Sequence, residues 1–298
     1  MANKIVFCGT HVGGRLAFES LLQAGYQIDA VVCITPEKAE QLKVSGYLDY
    51  APLAEAHGIP LYRPEKYSLK GESDTAFFEE NQFDLLIQGG WQRLFPEPVL
   101  STLKIGAIGL HGSPDLLPKG RGRSPLNWSL IEGRKRFLMH LFLMKVGVDD
   151  GDVFAFTSFD INDFDDIETL YYKYSISYRN LLIEQLPSLL DGSFQSIPQV
   201  GEPSYFAKRS AEDGEIDWEQ QDVHEIYNAV RAQTRPYPGA FAQMNDGLYT
   251  IWRCRVFDTR FLYPEAKYGE VVERFGEKLI VRCRGGLLLV DECEPRTR

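Results

Sequence analysis

With 298 residues, 44% of them hydrophobic and 25% charged, the chain can form one large globular domain or two ordinary ones. Its formal net charge of −10 argues against broad, non-specific nucleic-acid binding, and no apolar run approaches the roughly 20 residues needed to cross a bilayer. Five cysteines, odd in number and without a Cys-x-x-Cys pair, fit reduced thiols in a cytoplasmic protein better than a disulfide framework or a metal site.

The run Ile5-Val-Phe-Cys8, with no leader pattern before it, predicts a buried parallel strand, then a turn at Gly9-Thr10 and a helix over 15–24. Gly13-Gly14 suits either a tight turn or a phosphate contact, but it is not Gly-x-Gly-x-x-Gly. A second strand is expected over 28–34, and 35–50 is polar and poorly periodic. A short helix over 48–57, an extended segment over 58–62 and a helix over 74–81 follow. The strand Asp84-Leu-Leu-Ile-Gln88 then runs into Gly89-Gly-Trp-Gln-Arg-Leu94. Two glycines and an aromatic at a strand end suit a flat ligand approaching bare backbone; they equally suit a plain turn with Trp91 capping a core.

Another apolar run ends on His111, where open α/β sheets place their chemistry. A histidine there can pass a proton near neutral pH, or simply pack. The loop beyond it carries Lys119, Arg121 and Arg123, and a helix should start at Pro125 with Ser124 as its N-cap. Strands over 138–144 and 153–161 flank Lys145-Val-Gly-Val-Asp-Asp-Gly-Asp152, and a helix spans 165–190. This alternation implies an α/β fold with a mostly parallel sheet covered on both faces. Residues 192–203 read as a linker. Beyond it Asp222 should cap a helix over 223–231, and short strands over 238–241, 249–255, 269–272, 279–282 and 287–290 suggest a small antiparallel barrel or half-barrel.

The spaced motifs His111-Gly-Ser, Leu116-Leu-Pro-Lys-Gly-Arg-Gly122 and Gly147-Val-Asp-Asp-Gly-Asp152 resemble the folate-dependent formyltransferases. That superfamily includes methionyl-tRNA formyltransferase and the sugar-nucleotide N-formyltransferases. The resemblance runs from Phe7-Cys-Gly-Thr10 to Arg235-Pro-Tyr-Pro-Gly-Ala-Phe241. It implies a Rossmann-like catalytic domain over 1–191 and a small β-rich domain over 204–298. It also implies 10-formyltetrahydrofolate as formyl donor, with no metal, and His111 and Asp149 as the catalytic pair. The folate site would draw on Gly89, Gly90, Trp91, Gln92, Leu94, Val148 and Asp152. Two departures stand out: the family's asparagine two residues before the histidine is Gly109 here, and Pro114-Asp115 reads as an insertion. Losing one oxyanion donor costs about 100- to 1000-fold in rate when nothing replaces it. His111 as an imidazolium, with water or a backbone N–H in the vacated space, is one replacement. Ser113 or Asn127 is another, and a catalytically silent folate-binding relative is the third reading.

Lys119, Arg121 and Arg123 suffice for a diphosphate but are thin for a tRNA. The stretch 35–50 sets Lys38 and Lys43 against Glu37, Glu40 and Asp49, so it offers no basic arm. The motif around Lys119 also looks most like the sugar-nucleotide members. The expected acceptor is therefore the amino group of a nucleotide-linked amino sugar, with methionyl-tRNA as the alternative. A homodimer is left open.

Overall fold

Short β-branched and leucine-rich runs of the first half line up as one sheet in the computed structural model, which describes residues 3–245 and 247–296. The elements are β1 (Ile5–Gly9), α1 (Arg15–Gln23), β2 (Ala30–Val32), α2 (Pro36–Gln41), α3 (Ala51–Ala56), β3 (Leu61–Tyr62) and α4 (Glu72–Asn81). Next come β4 (Leu85–Gly89), α5 (Glu97–Leu100), β5 (Gly106–Ser113), β6 (Arg121–Gly122), α6 (Pro125–Ile131), β7 (Arg136–Leu143), β8 (Val153–Asp160) and α7 (Ile167–Asp191). The remainder is β9 (Tyr205–Phe206), α8 (Val223–Gln233), β10 (Ala240–Met244), β11 (Gly247–Asp258), β12 (Val271–Phe275), β13 (Lys278–Cys283) and β14 (Gly286–Pro295).

The larger sheet has the order β3-β2-β1-β4-β5-β7-β8. Its pairings from β3 through β5 are all parallel. β1 and β4 are buried at every residue, as strands covered on both faces must be, so they carry no polar alternation. β7 breaks the pattern: it runs antiparallel to β5, with Ile108 opposite Leu143 and His111 opposite His140. The mostly parallel α/β sheet is as expected.

Local chemistry explains two boundaries that sequence pattern missed. In the stretch 35–50, Thr35 accepts a hydrogen bond from the Lys38 N–H and Pro36 opens the first turn, so α2 forms despite weak periodicity. At Ser124 the reverse holds: the residue sits at φ 55 and its hydroxyl caps nothing, so α6 starts on Pro125 without the expected N-cap bond. The Gly13-Gly14 segment is a 3-10 turn in which His11 Nδ1 accepts from the Gly13 N–H at 2.9 Å. That donor is used internally, as a tight turn requires.

The chain forms two compact units. The first comprises the chain up to Arg121 with Leu138–Phe159 and Tyr172–Ser204; the second holds Gly122–Phe137, Asp160–Tyr171 and the chain from Tyr205 onward. In the second unit a five-stranded antiparallel sheet, order β10-β11-β14-β13-β12, shares a core with Ile226 and Val230 of α8. Asp222 accepts from the His224 and Glu225 N–H groups while the Glu225 carboxylate accepts from the Asp222 N–H, so the helix start is fixed reciprocally.

Candidate active site

β5 continues two residues beyond His111, so the histidine lies inside the strand with its ring buried. Its Nδ1 is 3.3 Å from a carboxylate oxygen of Asp149, and its Nε2 donates to the Gly120 carbonyl at 2.8 Å. Both ring nitrogens thus face acceptors, and a doubly protonated imidazole satisfies both at once.

Asp149 reaches this partner by a route that differs from the one expected. In an all-parallel sheet the loops after consecutive strands meet at one edge. Here β7 exits beside Ile108, three residues back along β5, or roughly 10 Å at strand rise. The segment 144–152 must fold back to recover that distance. Gly151 permits the tight return: a Cβ there would stand 1.8 Å from the Leu143 carbonyl oxygen. Asp149 itself adopts φ 51, a left-handed conformation that Asp and Asn tolerate better than other side chains. Tyr174 lies close enough that the Asp149 charge adds to burial in pushing its hydroxyl pKa up.

The place of the absent asparagine is filled. A Cβ on Gly109 would meet ring carbons of Phe142, its cross-strand partner, at 2.3 and 2.5 Å. The Phe142 ring is buried in that space. Neither suggested substitute donor is available. The Ser113 hydroxyl donates to the Lys119 carbonyl at 2.8 Å, and the Asn127 amide donates to the Ala232 carbonyl at 2.8 Å within the second unit. Ser113 closes its own loop, and Asn127 ties α6 to α8.

The expected folate residues divide. Gly89 ends β4, and Gly90 follows with φ 76. Trp91 belongs to the hydrophobic cluster of the first unit, packed near Tyr67 and Phe95, so its indole caps the core, while its main-chain N–H donates to Gln88 Oε1 at 2.8 Å. The Gln92 N–H donates to Tyr67 and its amide to the Ser45 carbonyl. Leu94 and Val148 are exposed apolar side chains at 53% and 42%, with Val146 at 52% beside the latter. Such exposed apolar groups on loops, together with bare glycine backbone, fit a flat ring system. Asp152 pairs with Lys145 at 2.8 Å and its carbonyl accepts from the Leu143 N–H, so it holds the loop. Of the basic trio, Lys119 and Arg123 are exposed, while Arg121 donates twice to Gln199.

Sequence reasoning passed over Phe142, His140 and Gln199. His140 faces His111 across the sheet, and its Nδ1 donates to the His111 carbonyl at 3.3 Å. Burial pushes its imidazole down to about 4, so it is neutral when folded. Unfolded, it takes a proton below its ordinary value near 6.5. Its contribution to stability is therefore full above pH 6.5 and declines by up to about 3 kcal/mol toward pH 4. Urea unfolding at pH 5 and pH 7 checks this: His140→Phe should lose less stability between them than the parent protein does.

A buried histidine whose two nitrogens face a carboxylate and a carbonyl is an arrangement able to pass protons. Comparison with known proteins gives the arrangement its family. The formyl transferase family matches residues 4–186, and the formyl transferase C-terminal domain matches residues 208–298. The chain is 32% identical over 98% of its length to methionyl-tRNA formyltransferase of Enterococcus faecalis, covering 91% of that protein. Among solved structures, the N-formyltransferase of Helicobacter canadensis in complex with folinic acid and dTDP-3-aminofucose superposes with a TM-score of 0.72. There identity is 16%, over 98% of this chain and 100% of that one. HypX of Aquifex aeolicus in complex with tetrahydrofolic acid gives a TM-score of 0.69 at 18% identity, and this chain spans only 45% of its length. The chain belongs to the formyl transferase family. It is a formyltransferase, and the donor its family uses is formyltetrahydrofolate.

Among the described residues no helix is long and apolar enough to cross a membrane.

Proposed function

We propose that this protein moves a formyl group from 10-formyltetrahydrofolate to the amino group of a nucleotide-linked amino sugar, with His111 and Asp149 as the catalytic pair. The donor supplies an amide-like formyl group when bound, and Gly89, Gly90, Leu94 and Val148 are the residues that would hold it. The chain's residues must then stabilise charge gathering on the transferring oxygen and carry a proton from the attacking nitrogen to the leaving one. A protonated His111 can exchange its Gly120 partner for the substrate, give the Nε2 proton to the leaving nitrogen and, then neutral, take one from the attacking nitrogen, with the Asp149 carboxylate held on Nδ1.

Charge carries the choice of acceptor. The protein is net −10, and the polar stretch 35–50 presents no basic arm. Even its Lys38 ammonium is spent on the Pro64 and Glu65 carbonyls, at 2.7 and 2.8 Å. Exposed Lys119, in the first unit, suits a phosphate rather than an acceptor arm. Methionyl-tRNA is the second reading, favoured by the 32% identity to the Enterococcus enzyme.

Release of tetrahydrofolate with a panel of amino-sugar nucleotides, set beside charged initiator tRNA, tests the two. Turnover should appear with a sugar nucleotide and fall only moderately as salt rises. A tRNA reaction should weaken steeply as counterions are released. Efficient formylation of methionyl-tRNA, with no activity on any amino-sugar nucleotide, reverses the ranking.

A further inference from the structure

The stretch 195–205 is exposed at every residue but one, and that one is Gln199. Its side-chain amide is used completely. Nε2 donates to the Asp149 carbonyl and to the Gly151 carbonyl, each at 2.8 Å. Oε1 accepts from Arg121 Nε at 3.1 Å and Nη2 at 2.6 Å. Chain on either side of Gln199 is pinned to the same loops. Ile197 and Val153 exchange both backbone hydrogen bonds, at 2.9 and 2.8 Å. Ser204 accepts from the Gly120 N–H through its hydroxyl at 2.9 Å and from the Arg121 N–H through its carbonyl at 3.0 Å.

We propose that Gln199 is a positioning residue for formyl transfer, holding Asp149 against His111 and Arg121 in fixed relation to both; this rests on the catalytic reading given above. The physics is direct. Two carbonyl oxygens converge on one amide nitrogen, and without that donor two like dipoles face each other with nothing between them. Asp149 has left-handed backbone without a glycine's freedom, so the loop holds that conformation only while its surroundings impose it. Released, the loop relaxes and carries the carboxylate away from Nδ1. Because the same amide accepts from Arg121, the guanidinium loses these two bonds together with the loop.

The test uses the full chain and two variants. Gln199→Glu keeps the shape and the acceptor toward Arg121 but removes both donors and sets an anion against two carbonyls. Gln199→Ala removes everything. A displacement of about 1 Å at a catalytic group costs on the order of 100-fold, so kcat should fall about 10- to 100-fold in both variants. The KM for 10-formyltetrahydrofolate should change far less. In an Asp149→Asn background neither substitution should cost much more, because the group it positions is already disabled.

A readout independent of turnover separates this proposal from the functional reading. The ¹⁵N resonance of His111 Nδ1 reports its hydrogen bond to Asp149, and Asp149→Asn marks the unpaired position. Both Gln199 variants should move it toward that position. Should the protein transfer no formyl group to any acceptor, the functional reading fails while the resonance still tests Gln199. An unmoved Nδ1 resonance in both variants overturns the proposal. So do losses that multiply with that of Asp149→Asn, which would mark a general structural role. If Gln199→Ala does not fold, the isosteric Gln199→Glu carries the same measurements.

Discussion

His111→Asn should lower turnover at least about 100-fold while leaving the unfolding midpoint nearly unchanged, and Asp149→Asn should do the same. An asparagine at 111 can place its amide N–H near the Nδ1 position, toward Asp149, so one of the two ring contacts is kept. What it loses is the capacity to hold a positive charge and pass a proton. Asparagine at 149 keeps the shape and removes the countercharge that supports the imidazolium. Since the two residues act as one unit at 3.3 Å, the double variant should lose little beyond the worse single one. Steady-state assays with whichever formyl acceptor the protein uses, alongside urea unfolding, decide the matter. Near wild-type turnover in His111→Asn removes the histidine from the mechanism.

Gly109→Asn, the change that recreates the family pattern, should be neutral or harmful. The first atom of any side chain at 109 enters the Phe142 ring, whose carbons lie 2.3 and 2.5 Å from that point. Overpacking of this kind costs about 1–3 kcal/mol. Phe142→Ala alone should cost about 3–5 kcal/mol, since it empties a buried ring site. Together the two should be less damaging than their sum, because one vacates the space that the other fills. Unfolding free energies of the four proteins in the cycle measure that coupling. Turnover gives the complementary answer: a gain of about 10-fold or more in Gly109→Asn would show that the missing donor limits the native enzyme.

The pattern of buried strands was legible because β1 and β4 carry no polar alternation at all, and a doubly covered parallel strand has no other sequence signature. The Asp222 cap was legible for a similar reason, since Asp222 and Glu225 stand at the spacing of a reciprocal box. The direction of β7 was not. An apolar run reads the same in either sense, and the register of Gly109 on Phe142 is a long-range fact. Ser124 misled because a hydroxyl before a helix implies a cap only when its backbone is extended. At the site, the family resemblance implied His111 and Asp149, and their side chains lie 3.3 Å apart. Trp91 reads equally as a ligand wall or a core cap, because an aromatic after two glycines looks the same in either role, and its indole lies in the core. Gln199 left no trace: one amide in a polar stretch gains meaning only when two distant loops converge on it.

The return of 197–204 over the motif loops has a consequence for anyone recombining this protein with its relatives. A crossover placed at 191, where the chain leaves α7 and its composition turns polar, looks harmless. It would nevertheless hand position 199, which grips the Asp149 carbonyl, to the other parent while every motif up to Asp152 stayed native. Such a chimera would fail for a reason invisible in either parent's motif alignment. The seam that keeps the donor half intact lies after Ser204, whose hydroxyl is the last group to reach back to Gly120.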